Sequence, residues 1–147
     1  VNAASTATAP PPVLRRLGPP LAALAAAAVP TAYLAVVDPN APGHYPDCPF
    51  LTATGWWCPG CGGLRCVHAL THGDFTGALH DNAAAVLLFA VLALFWLRWG
   101  WAALLGGGPR PRPALGARRW VLIALLVLVF TVVRNLPVGA GLAPPLV

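Results

Sequence analysis

The sequence holds no lysine and no glutamate; its nine positive charges are all arginine and its four acidic residues are all aspartate. Charged residues make up 9% of the chain, against about 25% in ordinary soluble domains. So few charges exclude a surface that faces water throughout. With 58% of residues hydrophobic, lipid is expected to be the main solvent, and helices the form in which the chain crosses it. A net charge of +5 would suit a nucleic-acid binder, but the arginines flank apolar runs and form no basic stripe, so no nucleic-acid partner is expected. Arginine beside apolar runs is a topology signal instead.

Residues 1–16 lack apolar periodicity until Arg15 and Arg16 and are expected to form a disordered tail. Three stretches then have spanning character, about 17–37, 83–105 and 117–136, and the expected fold is all-α, an integral membrane protein with three transmembrane helices. Pro19 and Pro20 suit the start of the first helix, and Pro30 predicts a kink. A cleaved signal peptide is the rival reading of this first stretch, although no clean small-x-small site precedes Asp38. In the second stretch, Trp96, Trp99 and Trp101 surround Arg98 and place it near a helix end. Gly106 to Pro109 ends that helix, and Arg110 and Arg112 sit among prolines in an extended linker. The uninterrupted apolar core of the third stretch, Trp120 to Val133, is short. Residues 138–147 read as a non-helical tail, from Pro137 onward.

The positive-inside rule gives the orientation. Arg15, Arg16, Arg110, Arg112, Arg118 and Arg119 fall on one side of a three-span chain, expected to be the cytoplasmic face of the plasma membrane. The segment 38–82 falls on the other, extracytoplasmic side. It has one arginine, all four aspartates, all four cysteines and all four histidines.

Within it, Cys48 precedes the run Cys58-Pro59-Gly60-Cys61-Gly62. Proline and glycine there dictate tight turns. Leu64 to His72 reads as a short interfacial helix, opened near Gly62 or Gly63 and stopped at Gly73. On such a helix, at about 100° per residue, Arg65, His68 and His72 lie within roughly 40° of the direction of Cys61, whereas Cys66 lies about 140° away. Arg65 and the helix start are therefore placed to lower the thiol pKa of Cys61 or Cys58. Three chemistries fit. Cys58 and Cys61 can be a redox pair, as C-x-x-C at a helix start allows. They can form a zinc knuckle with Cys48 as third ligand and His68, His44 or Cys66 as fourth. Or the cysteines are disulfide staples of an oxidising compartment. C-type haem is disfavoured, because Gly62 stands where that motif needs histidine.

The remaining polar residues have simpler readings. Asp74 can cap the segment that follows it, and Asp81 or Asn82 can cap the second span. Arg134 and Asn135 end the third span on the side of the cysteine loop, either as an interfacial anchor or as part of a site; Arg134 is within expected reach of the carboxylates of Asp74 or Asp81.

Cys48-Pro49, Thr54-Gly55, the Cys58–Gly62 run, Arg65, His72-Gly73-Asp74 and Asn82 together resemble the DUF2752 family of small bacterial membrane proteins. Arg134-Asn135-Leu136-Pro137 is similar to that family's terminal motif. Ala83 stands where family members carry proline, and Cys66 where they carry a small residue. The resemblance implies a membrane location, no established activity, and that Cys66 and Ala83 lie outside any shared function. The expected role is a non-catalytic membrane accessory protein or subunit. Its cysteine loop would be a structural or metal-bound docking element, with another membrane protein or a second copy as partner. The alternative is a thiol-redox or metal-handling protein that works through Cys58 and Cys61.

Overall fold

The computed structural model describes residues 13–41, 43–106 and 116–144. The proposed linker arginines Arg110 and Arg112, most of the N-terminal tail and the last three residues lie outside them. The described residues are helical, with no strand among them: α1 (Val13–Val36), α2 (Pro49–Thr54), α3 (Gly63–Thr71), α4 (Phe75–Leu104), α5 (Ala117–Arg134) and a 3-10 turn, Pro137–Leu142.

Helix α1 begins at Val13, so Arg15 and Arg16 belong to the helix and not to a tail. Pro19 and Pro20 consequently lie inside it, and the helix also runs on through Pro30. A proline leaves the carbonyl four residues earlier without its helical donor; apolar surroundings and neighbouring helices make this tolerable. Helix α4 also braces α1 directly, because the Trp96 indole N–H donates to the Pro20 carbonyl at 2.8 Å. The same end of α1 meets the end of α4 at Gly106, where an added Cβ would lie 2.6 Å from the Arg16 guanidinium. The two helices therefore pack antiparallel.

Helix α4 starts at Phe75, earlier than the apolar pattern suggested, because Asp74 caps it through the Gly77 backbone N–H at 2.8 Å. Asn82 interrupts it with an extended backbone, φ −164° and ψ 93°. The Asn82 carboxamide oxygen accepts from the Ala85 N–H at 2.9 Å and so caps the long apolar segment beyond. The C-terminal stretch, expected to lack helical structure, instead makes the 3-10 turn. Pro137 starts it, and Gly139 packs directly onto the Val133 carbonyl at the end of α5, a contact that any Cβ would obstruct.

Two helices, α1 and α4, are long and apolar enough to cross a membrane by length and composition. Helix α5 has 18 residues, includes Arg118, Arg119 and Arg134, and falls short of that measure. Burial is the reverse of a soluble domain's. Leu87, Leu94, Trp101, Leu126 and Leu128 are exposed, whereas the largest fully buried side chains are Arg134, Asn82, Pro20 and Cys66. Helix α3 packs on both α1 and α4, and the 3-10 turn on α4 and α5. Thus α3, the cysteine loop and the two buried polar side chains gather at one end of the helices.

Candidate metal centre

Cys48 is the N-cap of α2, with Pro49 in the first helical position, where its missing N–H costs nothing. Gly55 closes α2 in the left-handed conformation. The chain then returns through Trp56 and Trp57 to the Cys58–Cys61 turn, in which the Cys61 N–H donates to the Cys58 carbonyl at 3.2 Å. The Cys58 N–H points back at the Cys61 sulfur, also at 3.2 Å. These turns bring Cys58 Sγ to 2.8 Å from Cys61 Sγ and 3.6 Å from Cys48 Sγ. All three sulfurs lie within 4.8 Å of one another, as ligands of one metal ion must. Tetrahedral thiolates at about 2.3 Å from zinc are separated by about 3.8 Å. The Cys48–Cys58 spacing matches that figure, and the Cys58–Cys61 pair would open by about 1 Å. The four cysteines are free thiols, and together the three line a cleft of about 380 Å³.

Gly62 fixes the exit from this turn. It has φ +80°, and an added Cβ would strike the Asp81 carbonyl in α4. A left-handed non-glycine costs about 1–2 kcal/mol and overpacking about 1–3 kcal/mol more. Gly62→Ala is therefore expected to destabilise the fold by about 2–5 kcal/mol, read as a lower thermal midpoint in detergent micelles.

The loop is clamped by polar side chains from two other elements. Arg134 is 1% exposed. Its guanidinium donates to the carbonyls of Cys58 at 2.9 Å, Cys61 at 3.2 Å and Asp81 at 3.5 Å. Phe130 lies under the same cation, 5.0 Å from its ring centroid. The Asn82 amide donates to the carbonyls of Pro59 at 2.9 Å and Cys61 at 3.1 Å. Asn135 grips Trp57 on both sides, accepting from its N–H at 2.7 Å and donating to its carbonyl at 2.9 Å. Arg134 thus meets backbone carbonyls and not the carboxylates of Asp74 or Asp81: the first is turned to its own cap, and the second presents its main chain. Among the described residues no carboxylate is paired with Arg134, whereas His68 pairs with Asp38. The Arg134 Nε has no hydrogen-bond partner.

Three sequence expectations change here. His68 is no fourth ligand: its Nδ1 lies 2.7 Å from the Leu34 carbonyl and its Nε2 3.7 Å from Asp38, so it ties α3 to the end of α1. Arg65 lines the cleft but does not activate Cys61. Burial, together with the contacts to Cys58 and Cys48, pushes that thiol up to about 12. Cys48 is the thiol held below the usual cysteine range, chiefly by the Leu51 backbone amide. Cys66, the third, is fully buried away from the cluster, its thiol pushed up to about 11 by burial and by Asp81. It is a packing residue that stays protonated at neutral pH. A small maleimide at pH 7 is expected to leave Cys66 unmodified in the native protein and to modify it in dodecyl sulfate, as peptide masses will show.

Residues 48–96 match the family model DUF2752, described as a protein of unknown function. No curated protein and no solved structure matches the chain.

Proposed function

We propose that this chain is a non-catalytic membrane accessory protein in which Cys48, Cys58 and Cys61 hold one divalent, thiophilic ion such as zinc, making the cysteine loop a rigid docking element. The observation that carries this reading is the buried Arg134. A guanidinium buried without a carboxylate needs negative charge nearby. Three thiolates and a divalent ion leave one net negative charge, which the Arg134 cation offsets across the Cys58–Cys61 turn. Three neutral thiols would leave the cation uncompensated. A monovalent ion would leave a second negative charge in a half-buried place.

The surrounding fold supports a membrane setting. The exposed faces of α4 and α5 are leucine, valine and tryptophan, and lipid is the solvent that suits them. Three spans, with α5 as the third, put Arg15, Arg16, Arg118 and Arg119 on the cytoplasmic side of the plasma membrane and the cysteine loop outside. An impermeant maleimide applied to intact cells, after chelation and mild reduction, is then expected to label Cys58. Labelling that requires broken cells contradicts this orientation.

A redox reading is favoured by one distance, the 2.8 Å between Cys58 Sγ and Cys61 Sγ. Non-reducing mass spectrometry and metal analysis of the protein extracted in detergent distinguish the two. One zinc per chain with four free thiols supports the metal reading. A metal-free chain with a Cys58–Cys61 bridge, which exchanges readily with glutathione, supports redox work.

A further inference from the structure

The thiol, imidazole and carboxylate side chains that could complete a thiolate-bound metal site all lie among the described residues. Segments 1–12, 107–115, 145–147 and residue 42 contain no cysteine, histidine, aspartate or glutamate. The candidates are therefore the four cysteines, four histidines and four aspartates, all in the described residues. Three cysteine sulfurs form the cluster, and no other such side chain joins it.

Several of the alternatives are held elsewhere. His68 is fixed between the Leu34 carbonyl and Asp38. The His72 ring is turned onto the His68 carbonyl at 2.9 Å. Asp38 accepts from the Asn40 backbone and side chain, both at 2.8 Å. Asp74 is engaged at the start of α4. Cys66 lies in the packing with no exposure. Asp47 is the one acidic residue on the wall of the cleft, yet its carboxylate lies outside the cluster.

Zinc sites that serve only structure are closed by four protein ligands, whereas a site with three keeps a position for something else. We propose, building on the metal reading above, that the fourth coordination position is left open to the cleft and is filled by a donor from outside this chain, an imidazole or thiolate side chain of a docked protein. The cleft of about 380 Å³ has room for such a side chain, and its wall offers Tyr45, Leu51, Trp57 and Leu64 for apolar contact. Docking then forms one metal–ligand bond and displaces the water or buffer molecule that holds the position in the free protein. The oxidation state of the metal does not change.

The test uses the full chain in lipid nanodiscs, stripped of metal and titrated with cobalt(II), whose visible bands report its ligands. One cobalt per chain is expected, with intense bands of a four-coordinate site. Imidazole and 2-mercaptoethanol, added in turn, are each expected to shift those bands, the thiol also adding sulfur-to-cobalt charge-transfer intensity. Asp47→Ala, His44→Ala and His68→Gln are expected to leave the cobalt spectrum unchanged. Cobalt bound at one per chain with bands that neither additive moves overturns the open position and leaves the metal reading intact. So does a spectrum altered by one of the three substitutions, which would identify an internal fourth ligand. Absence of cobalt binding overturns the metal reading and this inference with it.

Discussion

Replacing Arg134 by alanine is expected to cost about 3–5 kcal/mol of stability and to release the end of α5 from the cysteine loop. The guanidinium satisfies the carbonyls of Cys58, Cys61 and Asp81 at once. Each buried carbonyl left without a donor costs roughly 1–3 kcal/mol. Besides Asn135, which grips Trp57 on both sides, α5 is held mainly by the 3-10 turn that folds over its end. Arg134→Lys is expected to recover only part of the loss. An ammonium on a single stem keeps the charge but cannot span three carbonyls with a planar fork. Arg118→Ala and Arg119→Ala, at the exposed start of α5, are expected to change stability by less than about 0.5 kcal/mol. Thermal unfolding in micelles separates these cases, and metal content measured in the same samples shows whether the loop has opened.

Cys58→Ser is expected to produce the second large effect, a fall of at least about 100-fold in zinc affinity. Cys58 is the middle sulfur of the three, close to both others, so its removal leaves two thiols without a shared neighbour. Serine is a poor zinc ligand at neutral pH because its hydroxyl stays protonated. Cys48→Ser and Cys61→Ser should behave alike. Cys66→Ala is the control. It removes a sulfur of the same chain and leaves zinc bound, at a modest cost in stability from the lost packing. If all four substitutions reduced zinc binding equally, the loss would report folding, and the assignment of three specific ligands would fail.

The all-helical architecture was legible from composition and apolar runs, and the short helix after the cysteine loop from glycine punctuation. Asp74 was readable as a cap because N-capping is local chemistry, written within three residues of sequence. The clamp was harder to read. Arg134 and Asn135 stand out as polar residues at the end of an apolar run, but their targets lie in main-chain carbonyls 53 to 78 positions away. Backbone acceptors exist at every residue and so carry no sequence signal. A search for an opposite charge led instead to Asp74 and Asp81. Asn82 belonged to the motif that carries the family resemblance, but its own chemistry read as a cap. Its oxygen does cap the long segment of α4, while its amide nitrogen serves the cysteine loop. Helix geometry placed His68 on the face of Cys61 but could not show that the end of α1 would be there to bind it. Pro19 and Pro20 misled for a different reason: proline's disruptive effect in water weakens where neighbouring helices and apolar surroundings hold the backbone.

The chemistry of the site can be read most directly by X-ray absorption at the zinc edge on the purified chain in lipid. Zinc bonded to three sulfur atoms at about 2.3 Å and one lighter atom at about 2.0–2.1 Å is the expected first shell. Zinc with two or fewer sulfur neighbours, or four, would contradict a centre built from Cys48, Cys58 and Cys61 alone.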